Sequence, residues 1–279
     1  MSKTKQLTVT MKLKNYLILV LFFCLLLEVS AEVEEFEGLT YARYGDRELQ
    51  LDLFKLKEQS EPRPAIIWIH GGGWRKGTRK NGAKVARYLA ERNYVTVSIS
   101  YRLSGEAPFP VQIQDCKAAV RWLRANAEQY GIDLDRIGAI GHSAGGHLAA
   151  LLATSNDVPE LEGEGGNSSY SSAIQAAVPM GAQSDMETER IRLMTAQPPP
   201  KAAIWHEFLG GSRDDNEAMY QLASPRRYLD ANDPPMMFIA GALDNLDTHA
   251  LPIREDMRQL EIPEGILVIP SAPHHFTPD

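Results

Sequence analysis

The chain has 279 residues, 44% of them hydrophobic, and sets 36 Asp and Glu against 29 Lys and Arg for a net charge of −7. That is apolar material enough for a large buried core, and the acidic balance excludes the basic surface a nucleic-acid partner requires.

Lys3, Lys5, Lys12 and Lys14 form a basic leader, followed by an uncharged run over residues 16–27. The run fits the roughly 7–15 residues of a signal h-region and falls short of the roughly 20 that span a bilayer as a helix. Val29-Ser30-Ala31 puts small residues at the −3 and −1 positions, so cleavage is expected after Ala31. The protein would then be secreted or periplasmic, with no membrane attachment after cleavage. Glu28, close to the cut, leaves a retained anchor as the rival, whereas lipidation at Cys24 lacks small residues at Leu21-Phe22-Phe23. Removing four lysines and one glutamate takes the net charge from −7 to −10. Residues 32–279 are expected to form one α/β domain. Cys116 is then the lone cysteine, in a helix-like run where it reads as a small buried hydrophobe.

Leu49, Leu51 and Leu53 alternate with Gln50, Asp52 and Phe54 after a Gly45-Asp46 turn, which predicts an antiparallel hairpin at the start of the sheet. Apolar runs at 65–69, 94–99, 137–140, 173–178, 236–240 and 266–269 predict strands buried on both faces. Helical periodicity between them, at 84–92, 111–130, 144–153 and 251–260, gives the alternation of a mostly parallel sheet with helices on both faces. Residues 183–223 break this rhythm. There Pro198-Pro199-Pro200 and Gly210-Gly211 bracket a short amphipathic segment with Trp205, His206 and Phe208, predicting a lid-like insertion or a surface excursion over the sheet edge.

Gly141-His142-Ser143-Ala144-Gly145 lies between a predicted strand and a predicted helix, the setting in which G-x-S-x-G forms a nucleophile elbow. Glycines two before and two after the serine avoid collisions across a strained turn, and the helix N-terminus favours negative charge beside Ser143. His70-Gly71-Gly72-Gly73-Trp74 follows the strand at 65–69, where a glycine loop can bring backbone N–H donors to an oxyanion. A serine hydroxyl needs a base, and the base an orienting acid. His70, His142 and His147 read as structural, His206 lies in the insertion, and His249 starts a helix. His274 and His275 follow the last strand, where the order Ser…Asp…His places the base. Asp244 follows the strand at 236–240 and is preferred as the acid over Asp247, Asp230 and Asp233.

His70–Trp74, Tyr101-Arg102-Leu103, 115–123, 141–147, Ala223-Ser224-Pro225 and 234–244 together resemble the secreted carbohydrate-esterase branch of the α/β hydrolases, the feruloyl and acetylxylan esterases of the BD-FAE type. Hormone-sensitive-lipase-like esterases are similar in the glycine loop and in Tyr101-Arg102-Leu103. The resemblance implies the α/β-hydrolase fold, with Ser143, Asp244 and His274 catalytic and the N–H groups of Gly72, Gly73 and Ala144 as the oxyanion hole. His274 is favoured over His275 because His274-His275-Phe276 matches a His, one variable residue, then an aromatic. Such proteins usually continue into a closing helix, whereas this sequence ends at Asp279. Apolar surface beside 266–269 is therefore expected to stand open, with self-association into a homo-oligomer as one way to shield it.

The expected activity is acyl transfer from a small-molecule or carbohydrate ester through a serine acyl-enzyme, with no cofactor and no metal. His142 and His147, five apart, are poorly spaced as metal ligands on one helix face. Trp74, Trp205 and Phe208 are candidates for a sugar or aromatic subsite, with core packing as the alternative. The rival functions are a prolyl-oligopeptidase-like serine peptidase, which usually needs a large accessory domain, and a non-catalytic binding protein on the same scaffold.

Overall fold

The structure is a computed structural model that describes residues 32–156, 158–198, 200–274 and 276. The expected signal at 1–31 and His275 lie outside the described residues. Eight strands form one sheet: β1 (Val33–Tyr44), β2 (Arg47–Leu56), β3 (Arg63–Ile69), β4 (Val95–Ile99), β5 (Ile132–His142), β6 (Ala176–Met180), β7 (Met236–Gly241) and β8 (Glu264–Ile269). Their order is β1-β2-β4-β3-β5-β6-β7-β8. β1 pairs antiparallel with β2, and β2 with β4; every later pairing is parallel. Among the described residues, helices of seven residues or more are α1 (Ala83–Ala90), α2 (Val111–Ala125), α3 (Ala144–Thr154), α4 (Glu189–Thr195), α5 (Ala203–Leu209) and α6 (Leu251–Gln259). None of the described helices is long and apolar enough to cross a membrane.

Successive side chains on a strand point to opposite faces, so β2 reports both sides of the sheet. Leu49, Leu51 and Leu53 are fully buried in the main core, together with Ile113 and Val120 of α2, Leu148 and Leu152 of α3, and Ile253 and Met257 of α6. Phe54, on the other face, packs with Ala86 and Ala90 of α1 in a small separate cluster. Cys116 sits in the main core without exposure, and burial pushes its thiol pKa well up, consistent with a packing role.

The second face is covered unevenly. α1 packs over β2 and β4, while Ile66, Ile140 and Val178 line an apolar groove farther along the same face. Met237 is 42% and Leu267 49% exposed beside it. The apolar surface expected next to the last strand is thus present among the described residues.

Two elements depart from the sequence-based expectation. The helix expected over 111–130 is interrupted once, at Asn126, whose side-chain amide donates to the Trp122 carbonyl at 2.8 Å; it resumes over Ala127–Tyr130 and ends where Gly131 turns left-handed at φ 66°. β5 starts five residues before its apolar run, through Asp133-Leu134-Asp135-Arg136. That stretch shows no alternation because its side chains are half-exposed or exposed.

The two faces predict different tolerances. Leu53→Ala should destabilise the fold by about 2–5 kcal/mol, the cost of a buried cavity. Leu267→Ala should cost less than about 1 kcal/mol, because the half-exposed side chain leaves no cavity. Urea midpoints of the two variants test this, and equal losses would refute the burial assignment of β8.

Candidate active site

The parallel register of β3, β5, β6, β7 and β8 brings the C-terminal ends of five strands to one edge, and each feeds a loop into the site. β5 ends at His142 and α3 begins at Ala144, leaving Ser143 alone to make the turn. Its backbone sits at φ 56°, ψ −120°, in the left-handed half of conformational space that a side chain disfavours. The turn is held on both sides: Ser143 N–H donates to the Met180 carbonyl at 2.7 Å, and His147 N–H to the Ser143 carbonyl at 2.9 Å. A Cβ on Gly141 would lie 2.2 Å from the Gly145 carbonyl oxygen, and one on Gly145 would lie 2.0 Å from that of Ile69. The elbow therefore closes only with glycine at both positions.

Beyond β7, Asp244 N–H caps back onto the Gly241 carbonyl at 3.0 Å, and Asn245 N–H donates to Asp244 Oδ1 at 2.9 Å. Beyond β8, the 270–274 loop is tied to the β7 loop: Leu243 N–H donates to the Ala272 carbonyl at 2.9 Å, and Ala242 N–H to that of Ile269 at 3.0 Å. His142 adds a tie that the sequence did not reveal, its Nε2 meeting the His274 carbonyl at 3.0 Å. Between these loops His274 reaches Ser143 Oγ with Nε2 at 2.8 Å and Asp244 Oδ2 with Nδ1 at 2.7 Å. Burial works to raise the Asp244 pKa, but the His274 hydrogen bond, nearby His249 and the Asn245 N–H outweigh it and hold the carboxyl below its ordinary range.

The glycine loop lies against the elbow, since a Cβ on Gly71 would stand 3.4 Å from Ser143 Cβ. Gly72 and Gly73 adopt φ 112° and 61°. Tyr101 braces the loop from below, stacking on His70 with centroids 4.3 Å apart and donating its hydroxyl to the His70 carbonyl at 3.1 Å. From above, α5 presses on it: a Cβ on Gly73 would fall 2.0 Å from Ile204 Cδ1.

Trp74, Trp205 and Phe208 require a correction. Trp74 is 3%, Trp205 5% and Phe208 0% exposed. Trp74 stacks on Phe208 at 4.1 Å with an interplanar angle of 3°, and Trp205 leans on Trp74 at 5.4 Å. Their faces are covered by one another, so they offer no platform to a sugar; they fasten α5, and with it the insertion, to the glycine loop. Glu207 completes the attachment through Arg75 at 3.0 Å and the Ser104 hydroxyl at 2.6 Å.

The other ionisable candidates fall elsewhere. Asp247 is exposed, and Asp233 accepts the Asp230 N–H at 3.0 Å in a turn before β7. His206 meets the Thr195 carbonyl at 2.8 Å, and buried His147 meets that of Ala223 at 2.7 Å. Among the described residues, Asp244, His249 and His274 bring potential metal-ligand atoms within 4.8 Å of one another. Both histidines bring Nδ1 close to the same carboxylate oxygen, His274 in a hydrogen bond at 2.7 Å and His249 at 3.2 Å without one.

The BD-FAE family description matches residues 51–250, a span holding the elbow, the glycine loop and Asp244. The chain belongs to the BD-FAE family. This BD-FAE chain is similar to esterase LipC of Mycobacterium tuberculosis, with 31% identity over 84% of the chain and 58% of that protein. It is also similar to esterase LipQ of the same organism, with 32% identity over 72% of the chain and 47% of that protein. It thus spans about half the length of these relatives. Among solved structures, a truncated carbohydrate esterase from gut microbiota shares 27% identity at a TM-score of 0.74, covering 88% of this chain and 90% of that one. A bifunctional GH43-CE protein of Bacteroides eggerthii shares 31% identity at a TM-score of 0.77, covering 86% of this chain and 32% of that one.

The buried histidines predict an acid-labile fold. Burial pushes His147 and His249 down to about 4, below the ordinary value of about 6.5 that the unfolded chain regains. Their stabilising contribution is therefore complete above about pH 6.5 and is lost as pH falls towards 4, each worth about 3 kcal/mol. Urea unfolding between pH 4 and 7.5 should show this slope, and His147→Gln should reduce it by nearly one proton. A slope that His147→Gln leaves unchanged would sink the assignment.

Proposed function

We propose that this protein is a serine carboxylic-ester hydrolase that works through an acyl-enzyme on short acyl esters, carbohydrate esters foremost. The observation that carries the proposal is the continuous hydrogen-bonded run from Ser143 Oγ through His274 to Asp244. In that run the Ser143 hydroxyl donates to His274 Nε2, which fixes the ring proton on Nδ1, where it faces the Asp244 carboxylate. As Ser143 Oγ attacks an ester carbonyl, its proton passes to His274 Nε2, and Asp244 stabilises the resulting imidazolium. The tetrahedral oxyanion is held by the N–H groups of Gly72, Gly73 and Ala144. His274 then protonates the departing alcohol, leaving Ser143 acylated. Water, deprotonated by the same imidazole, releases the acid and regenerates the hydroxyl.

The esterase relatives support the reaction class, and the carbohydrate-esterase neighbour supports the alcohol side of the substrate. Export is supported by the basic leader and the apolar run before Ala31. A peptidase role has no comparable support.

Ser143→Ala should abolish hydrolysis of p-nitrophenyl acetate while leaving the melting curve unchanged, with residual turnover below about a thousandth of wild type. A fluorophosphonate should label only the Gly141–Gly145 peptide. Acetate or ferulate release from xylan fragments, set against cleavage of a proline-containing peptide, tests the substrate class; peptide cleavage alone would overturn it. His274→Ala should lose at least about 10³-fold in kcat and His275→Ala no more than about tenfold. The opposite ranking would move the base to His275.

A further inference from the structure

One buried histidine next to the site has no part in the steps above. His249 is 4% exposed, and its Nδ1 lies 3.2 Å from Asp244 Oδ2, the same oxygen that His274 engages. The approach is oblique, short of an aligned hydrogen bond. The other ring nitrogen, Nε2, meets Gln183 Nε2 at 3.3 Å, on the loop that follows β6. These two contacts determine where the imidazole proton resides. An amide nitrogen only donates, so His249 Nε2 accepts, and the single proton of the neutral ring sits on Nδ1, facing the carboxylate. Turning the Gln183 amide over would set its carbonyl oxygen against Nε2 and move the proton there. The bare Nδ1 lone pair would then face a carboxylate oxygen in a buried place, an arrangement that costs the full penalty of an unpaired polar contact. Burial also keeps the ring uncharged through neutral pH, its pKa lying at about 4.

We propose that Gln183 and His249 are positioning residues for the acid of the Ser143–His274–Asp244 run: Gln183 selects the Nδ1–H form of His249, and that N–H holds Asp244 Oδ2 towards His274. This rests on the reading of Ser143, His274 and Asp244 as a catalytic triad. The carboxylate then accepts at both oxygens, Oδ1 from the Asn245 N–H and Oδ2 from the His274 N–H, and the His249 N–H dipole faces Oδ2 obliquely at 3.2 Å. Loops from β6 and β7 thereby act on one carboxylate. A neutral donor suits this place, because it orients Asp244 without cancelling the charge that stabilises the imidazolium of His274.

The test combines a spectrum with a kinetic series on the full chain. Two-bond 1H–15N correlation spectra between pH 6 and 8 should show His249 of the wild type as the Nδ1–H tautomer, and Gln183→Leu should weaken that preference. An Nε2–H tautomer in the wild type overturns the proposal. With p-nitrophenyl acetate, His249→Leu should lower kcat about 10-fold with KM within about twofold, as expected when a reacting group is misplaced and substrate binding is untouched. His249→Asn puts an amide N–H where Nδ1–H stood and should recover kcat to within about threefold of wild type. Equal losses in the Leu and Asn variants, or a Leu variant that melts like wild type and keeps full kcat, also overturn the proposal. The spectra require no turnover, so a wild type without esterase activity would refute the proposed function while the tautomer result is judged by itself.

Discussion

The site depends on one backbone constraint, the turn at Ser143, whose φ of 56° and ψ of −120° cost on the order of 1–3 kcal/mol for a residue with a side chain. That conformation persists because it is clamped. Met180 at the end of β6 accepts its N–H, His147 one turn into α3 caps its carbonyl, and the Ile69 carbonyl closes against Gly145. Each clamp comes from a neighbouring strand or its helix, so the order β3-β5-β6 is also the order in which the elbow is supported. A serine on a relaxed loop could not present Oγ at a fixed height above the sheet.

The remaining machinery is arranged as braces on that point. Tyr101 supports the glycine loop through the His70 carbonyl, and the Arg102 guanidinium grips Asp115 of α2 at 2.6 Å, anchoring the chain just after Tyr101. Ala223 and Ser224 act from the other side, Ala223 accepting from His147 and the Ser224 hydroxyl from the Met186 N–H at 3.1 Å. The insertion is thereby fixed in its middle, by the aromatic stack around Trp74, and where its two ends meet, by the Met186–Ser224 hydrogen bond.

Much of this was legible in the sequence because it rests on local rules. The alternation of Leu49, Leu51 and Leu53, the buried parallel strands and the glycine spacing around Ser143 each follow from backbone geometry within a few residues. Asp244 and the His274-His275 pair could be placed because chain order and strand ends constrain them, and the family resemblance then favoured His274. What escaped was set by tertiary contact. Trp74, Trp205 and Phe208 look alike in sequence whether they bind a ligand or one another, and only the stacking at 4.1 Å distinguishes the two. The tie from His142 to the His274 carbonyl spans 132 positions, and that between Gln183 and His249 spans 66, with no motif at either separation. Residues 133–136 hid a strand because their half-exposed and exposed side chains carry no period.

Among the described residues β8 is the last strand of the sheet, paired with β7 alone, and one of its faces carries the half-exposed Leu267. His274 hangs from this strand, whereas Ser143 hangs from β5 in the sheet interior. Edge strands open at lower free energy than interior ones, and local openings precede global unfolding. Ser143 and His274 thus belong to regions of unequal thermal endurance. Warming the protein would first part His274 from an elbow that is still intact, well before the core around Leu53 gives way.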